Sequence, residues 1–285
     1  MTRNLNVCIG LCLITFSSFA VESNVPDSGA FGGLGGSYNS VKLEQDLYAS
    51  GISNVYSSSI LVADGTAGGP ATPYVNSQST FAPEAQVGYF KHFTNSNLLW
   101  GVKFFDEYLN STTTDQAVNI PQDGAFTTTG SGGSNTFTGH VIISSIQTTV
   151  THELALMPFI GRSFNDTFVY FGAGPTLSQV QYHLNDGTGY ADVNGSHDDL
   201  TGTPASFSNS IWVWGEAVQV GMAYYFDPSF FLDFDYTYAT EQYNITNTGP
   251  FNSTFGTYTS TGSLYVNNAQ RMTVQGIVVS INKMF

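Results

Sequence analysis

Cysteine is almost missing from this chain: the two present, Cys8 and Cys12, stand within the first dozen residues. Basic residues are scarce, with seven Lys and Arg against 21 Asp and Glu, for a net charge of −14. Charge of either sign is thin, at 10% of residues against about a quarter in ordinary soluble domains. Beyond the first twenty residues no apolar run is longer than Leu154 to Ile160. Each lack excludes something. A chain without cysteine past Cys12 has no disulfide framework to hold it. A chain poor in Lys and Arg does not bind nucleic acid or other polyanions by counter-charge. Without about 20 consecutive apolar residues, no helix spans a bilayer.

The first twenty residues read as an export signal. Arg3 supplies a positive start, Val7 to Phe16 form an apolar core broken by Gly10 and Thr15, and Ser18-Phe19-Ala20 offers small residues for cleavage. Residues 1–20 are therefore expected to be a secretory signal peptide, too short for an anchor and removed at about Ala20. Cleavage takes away both cysteines and Arg3, and moves the net charge from −14 to −15. Residues 21–285 are expected to form one domain.

What is abundant narrows the fold. Aromatics make up 14% of the chain and glycine 30 residues, with Ser, Thr and Asn plentiful. Such strands suit surroundings other than water. An exported membrane protein with no helix candidate has one backbone solution, a closed barrel, because lipid leaves no amide unsatisfied.

Alternating segments recur in pairs around short polar turns. Pro83–Phe93 turns through 94–97 into Leu98–Leu109; pairing Phe93 with Leu98 sets Tyr89 opposite Val102 and Val87 opposite Phe104, with Gly88/Lys103 and Glu84/Glu107 on the other face. Ile211–Phe226 turns through 227–229 into Phe230–Tyr243, so that Met222/Phe234 and Val220/Tyr236 share one face and Ala223/Asp233 and Gly221/Asp235 the other. In both hairpins the two strands choose the same apolar face independently, which fixes the register. A third hairpin runs from about His140 through a turn near 164–167 to Tyr182, interrupted by Pro158 and Pro175. Ala30–Leu43 and Ala269–Phe285 complete eight strands and close the ring. Four connections rich in Ser, Thr, Gly and Asn, at 45–80, 110–139, 184–208 and 244–266, gather at the other end as long loops. The expected fold is thus an eight-stranded antiparallel up-and-down transmembrane β-barrel, with short periplasmic turns and long extracellular loops in the outer membrane of a Gram-negative-type envelope.

With the strands placed, the chain resembles the small outer-membrane barrel family that includes opacity proteins and the transmembrane domain of outer membrane protein A. The likeness rests on the signal peptide, the glycine-rich first strand FGGLGGSYNSVKL, and the ending QGIVVSINKMF. Ile277, Val279 and Ile281 alternate toward the terminal Phe285, which resembles the signal that the family's barrel-insertion machinery reads; Lys283 stands where that signal has an apolar or aromatic residue. The resemblance implies outer-membrane lipid and lipopolysaccharide as surroundings. Since the chain ends on this strand, no peptidoglycan-binding domain is expected.

No catalytic residue, cofactor motif or metal motif is assigned. His152-Glu153 begins like a zinc-protease motif, but Leu156 stands where the second histidine is needed, and the motif requires a helix. Ser196-His197-Asp198-Asp199 joins one imidazole to two carboxylates, the composition of a solvated loop tip. His92-Phe93-Thr94 sets a hydroxyl near a histidine at the short-turn end; His140 and His183 lie near the other rim without a partner pattern. The inward positions Glu84, Lys103, Glu107, Glu153, Asp233 and Asp235 form either a lumen plug, as an eight-stranded ring favours, or a narrow passage lined by acids. The four long connections hold eight acids (Asp46, Asp64, Asp115, Asp123, Asp186, Asp192, Asp198, Asp199) and no Lys or Arg. The functional expectation is a non-enzymatic barrel serving envelope integrity or surface interactions through acidic loops. Its alternatives are a narrow cation-favouring channel and, third, an outer-leaflet lipid-modifying enzyme.

Overall fold

The structure, a computed structural model, describes residues 25–130, 133–193 and 196–285; the signal peptide expected over 1–20 lies outside them. Ten strands follow in order: β1 (Ser28–Ser57), β2 (Ile60–Pro70), β3 (Tyr74–His92), β4 (Leu98–Thr128), β5 (Ser134–Phe164), β6 (Thr167–Val193), β7 (Ser196–Asp199), β8 (Ala205–Asp227), β9 (Phe230–Phe255) and β10 (Tyr258–Met284). All pair antiparallel in one sheet that closes on itself where β10 meets β1. β1 and β10 share an unbroken register from Phe31↔Met284 to Ser57↔Tyr258. Closure removes the exposed edge that an open sheet of this length would carry.

Eight staves make the ring, because β2 and β3 are two halves of one. β3 pairs with the lower part of β1 and β2 with its upper part. Pro70 and Pro73 stand at the break between them and cannot donate to a ladder. On its other side this stave meets β4 at Glu84–His92 below and Ala63–Gly68 above. Between those runs, Tyr74 and Thr80 donate side-chain hydroxyls to the carbonyls of Thr114 and Leu109, at 2.7 and 3.0 Å. β7 is a four-residue strand laid against the top of β6.

The hairpin registers agree with the alternation of the sequence. Tyr89↔Val102, Gly88↔Lys103 and Glu84↔Glu107 pair in the first hairpin, Val220↔Tyr236 and Gly221↔Asp235 in the second, and Ile160↔Phe171 and Phe159↔Gly172 in the third. The third turn narrows to Asn165-Asp166, with Asn165 at φ 51°, a left-handed conformation that asparagine tolerates better than most residues.

The long connections differ from expectation. Residues 45–80, 110–139, 184–208 and 244–266 are mostly ladder, not irregular loop: β1 rises to Ser57, β4 to Thr128, and β9 and β10 continue to a turn at Gly256-Thr257. The 31 residues of β4, at about 3.3 Å each and roughly 40° tilt, rise roughly 75–80 Å, about three times the apolar band of an outer-membrane barrel.

The wall turns inside out on the way up. In the lower part, apolar side chains point outward: Phe230, Leu232, Phe234, Tyr236 and Tyr238 on β9, and Val218, Val220, Met222 and Tyr224 on β8. Above this band most outward positions turn polar, as with Thr112, Thr114, Gln116 and Asn119 on β4 and Gln242, Asn244 and Thr246 on β9, with Tyr48, Ile52, Ile142 and Tyr265 as apolar exceptions. The inward positions change the other way. Leu47, Val118, Ile120, Ile143, Leu184, Ile245 and Val266 pack as an apolar core inside the upper wall. The lower part therefore has the polarity of a membrane barrel and the upper part that of a water-soluble one.

Candidate functional site

The lower lumen is filled in layers. At the short-turn end, Phe31, Phe90, Phe159, Phe168, Tyr225 and Phe231 form an aromatic floor, with Leu99 and Ala223 beside them. Phe90 and Leu99 are 0% exposed within it. Glycine opposite an aromatic makes the layer possible. A Cβ at Gly221 would lie 2.4 Å from the Tyr170 ring, and one at Gly101 would lie 2.3 Å from that of Phe159.

Above the floor lies a charged layer centred on Lys103. Its ammonium donates to Asp235 Oδ2 at 2.9 Å, Asp233 Oδ2 at 3.2 Å and the Tyr170 hydroxyl at 3.0 Å. Three acceptors match three N–H bonds, so the cation is saturated. The two carboxylates exceed one ammonium by a charge, and neutral donors make up the difference. Tyr170 donates to Asp233 Oδ1 at 2.9 Å, Gln219 to Asp235 Oδ1 at 2.9 Å, and Thr237 to the same oxygen at 3.3 Å. Gln86 links this cluster to Ser280 and Asn282 on the closing strand, at 2.7 Å each. Six staves of the ring thus meet in one bonded network, with Gln86 also donating to Asp233 at 3.3 Å.

All six residues expected inside are buried, between 1% and 5% exposed, yet they do not form a single network. Lys103, Asp233 and Asp235 are joined directly. Glu107 lies apart, accepting from the Ser37 hydroxyl and from Asn39 Nδ2 at 2.6 Å. Glu84 Oε1 and Glu153 Oε2 have no hydrogen-bond partner among the described residues. A sixth inward carboxylate, Glu241, lies outside the sequence expectation: it is buried and accepts from Ser178 at 2.5 Å and Thr176 at 3.2 Å. The parity that turns Asp233 and Asp235 inward, carried six residues on, reaches Glu241.

The outward residues sort by height. Ile277, Val279, Ile281 and Phe285 are exposed on the apolar band or its lower edge. Near its upper edge His152 faces outward and pairs with Asp106 at 3.0 Å, while Glu153 faces in, so the two halves of the protease-like dipeptide lie on opposite sides of the wall. Glu216 sits outside, in a shallow groove with Pro175, Gly215 and Tyr238. At the short-turn end His92 bonds not to Thr94 but to Ser163 Oγ, at 2.9 Å, with its other ring nitrogen 3.2 Å from the Asp27 carbonyl. That serine is buried and also donates to the Asn97 carbonyl at 3.3 Å. The contact ties two turns together. On the upper wall His183 meets Ser208 at 3.0 Å, and His140 and His197 come together beside Asp192.

These placements decide the architecture. The chain is a closed eight-stave β-barrel with a filled lumen. No protein-family model matches it, and no curated protein matches it in sequence. Among solved structures it is similar to the outer membrane protein OprG from Pseudomonas aeruginosa, at 11% identity over 93% of this chain and 99% of that one, with a TM-score of 0.38. Neisserial surface protein A is 13% identical over 85% of this chain and 97% of its own, at a TM-score of 0.31. Ail, the attachment invasion locus protein of Yersinia pestis, is 11% identical over 80% and 97%, at 0.26.

Proposed function

We propose that this chain is a non-enzymatic barrel of the outer membrane, closed to ions, that works by contact at the cell surface. The observation that carries the reading is the inversion of the wall. An apolar belt one bilayer thick rings the short-turn end, and a much taller sleeve with a polar exterior and an apolar core stands above it. A protein that only sealed the membrane would need the belt alone. The sleeve presents Ser, Thr, Asn and aspartates over a long face, and the four connections that build it contain no Lys or Arg. Such a surface suits cationic partners, or lipopolysaccharide bridged through divalent ions, and repels polyanions.

The channel reading requires Asp233 and Asp235 to line open water, whereas both are bonded to Lys103 above an aromatic floor. An enzyme needs a nucleophile, an activating base and donors for the developing charge in reach of substrate. The Ser163–His92 pair has its hydroxyl buried between turns, which supports a structural role. The test is conductance of the purified full chain in planar bilayers. We expect no steady current in the wild type, and stepwise openings in Lys103→Ala, where the bonded cluster loses its centre. A steady cation-selective current in the wild type, diminished in Asp233→Asn/Asp235→Asn, would overturn the closed reading.

A further inference from the structure

Three side chains from three different strands meet on the outer face of the sleeve. His140 comes from β5, Asp192 from β6 and His197 from β7. Asp192 is ladder-paired with His197 and is the diagonal neighbour of His140, whose direct partner is Tyr190. In an antiparallel sheet such neighbours point to one side and stand within side-chain reach. Asp192 lies between the imidazoles. Its Oδ1 is 2.6 Å from His197 Nδ1 and its Oδ2 is 3.9 Å from His140 Nδ1. One ligand atom from each residue lies within 4.8 Å of the other two.

The surroundings hold the rings in place. His197 stacks on Tyr190 at 4.7 Å and 13°, and on His140 at 5.1 Å and 29°. All three candidate ligands are partly open to solvent, and the 184–208 segment that supplies two of them has four aspartates and no Lys or Arg. Ions can reach the group, and the local charge draws cations.

We propose that His140, Asp192 and His197 bind a divalent transition ion of the zinc class. Two imidazole nitrogens with one carboxylate oxygen suit zinc and its neighbours, whereas magnesium and calcium favour all-oxygen sets. Bonds of about 2.1 Å in tetrahedral geometry place ligand atoms about 3.4 Å apart. His197 Nδ1 lies 2.6 Å from Oδ1 of Asp192 and His140 Nδ1 3.9 Å from its Oδ2, with one ligand atom of each residue within 4.8 Å of the others, so side-chain rotations that bring the three atoms to that spacing create the site. Water takes the fourth position. The consequence for the fold is a clamp. Among the described residues β7 is ladder-paired to β6 alone, and an ion held by both His197 and His140 ties it to β5 as well.

The bland alternative is a pair of surface His–Asp contacts with no affinity for metal. Titration calorimetry of the full chain in detergent micelles separates the two, with zinc chloride as ligand and magnesium chloride as the comparison. We expect one zinc per chain and no magnesium heat. His140→Ala, His197→Ala and Asp192→Asn should each weaken zinc on the order of tenfold or more, while His183→Ala, on the same outer wall, should leave it unchanged. Heat-dependent gel migration shows that each variant keeps its barrel. Copper(II) loaded in place of zinc should give an electron paramagnetic resonance spectrum with hyperfine structure from two nitrogens. Absence of zinc binding, wild-type affinity in the His140→Ala/His197→Ala double variant, or a copper spectrum with one nitrogen would each overturn the site.

Discussion

Lys103 shows what one residue contributes when it is the only buried cation among the described residues. Its ammonium is bonded to two aspartates and a tyrosine hydroxyl, and removing it strands two carboxylates where water does not reach. Breaking a buried ion pair by deleting one partner typically costs about 3–5 kcal/mol. Lys103→Met should therefore lower the urea midpoint of the refolded barrel by an amount of that order. Adding Asp233→Asn and Asp235→Asn to it should recover much of the loss, because neutral amides remove the unpaired charge. If the triple variant is no more stable than Lys103→Met alone, the charge account is wrong. The need of Lys103 for a carboxylate could be read from its parity in the sequence. Which carboxylate could not, since Glu84 lies on the adjacent stave and Glu107 on the same strand, while Asp233 and Asp235 reach it across the lumen from β9. Only closure of the ring decides among them.

At the scale of the strand, the lower hairpins were legible and the upper walls were not, for one physical reason. Where lipid is outside, apolar residues alternate with small or polar ones, as in Val218–Tyr224 against Gln219–Ala223, and two facing strands check each other. In the sleeve the same period runs with its sense reversed: Val118 and Ile120 alternate with Asn119 and Pro121, and Ile245 with Asn244 and Thr246. Thr and Ser dominate the outer face and dilute the pattern until it resembles loop composition. The interior carries the proof. Ile143→Asp buries a charge in the core of the sleeve, where Ile143 is 0% exposed. Limited proteolysis should then cut β4 to β6 above the band while the lower barrel survives as a protected fragment; the wild type should resist at the same sites. Gly221 tests packing lower down. Valine there would meet the Tyr170 ring, and overpacking of this kind costs about 1–3 kcal/mol, to be read as a lower urea midpoint with the assembled band still present on gels.

On the scale of the whole molecule, the belt and the sleeve respond to the same substitution in opposite ways. Val220 faces outward in the middle of the belt and is 55% exposed to the surroundings of the barrel. Arginine there should cost about 2–4 kcal/mol in a bilayer, seen as a loss of folded fraction in vesicle refolding. Thr112, outward on the sleeve, should accept arginine with no measurable change. Equal effects at both positions would mean that the belt does not mark the hydrocarbon.

The reversal of the wall also sets a waterline. Just above the belt Lys42 and Glu44 pair on the outer surface, with Arg271 exposed across the ladder from Glu44. Sinking the cylinder by one rung pair would drag these charges into oil, and raising it would lift tyrosines and phenylalanines out. The molecule can float at one depth only, so it acts as a fixed gauge of bilayer thickness. Lipids with shorter or longer tails must stretch or thin around it, and its neighbours in the membrane will be those whose own waterlines agree.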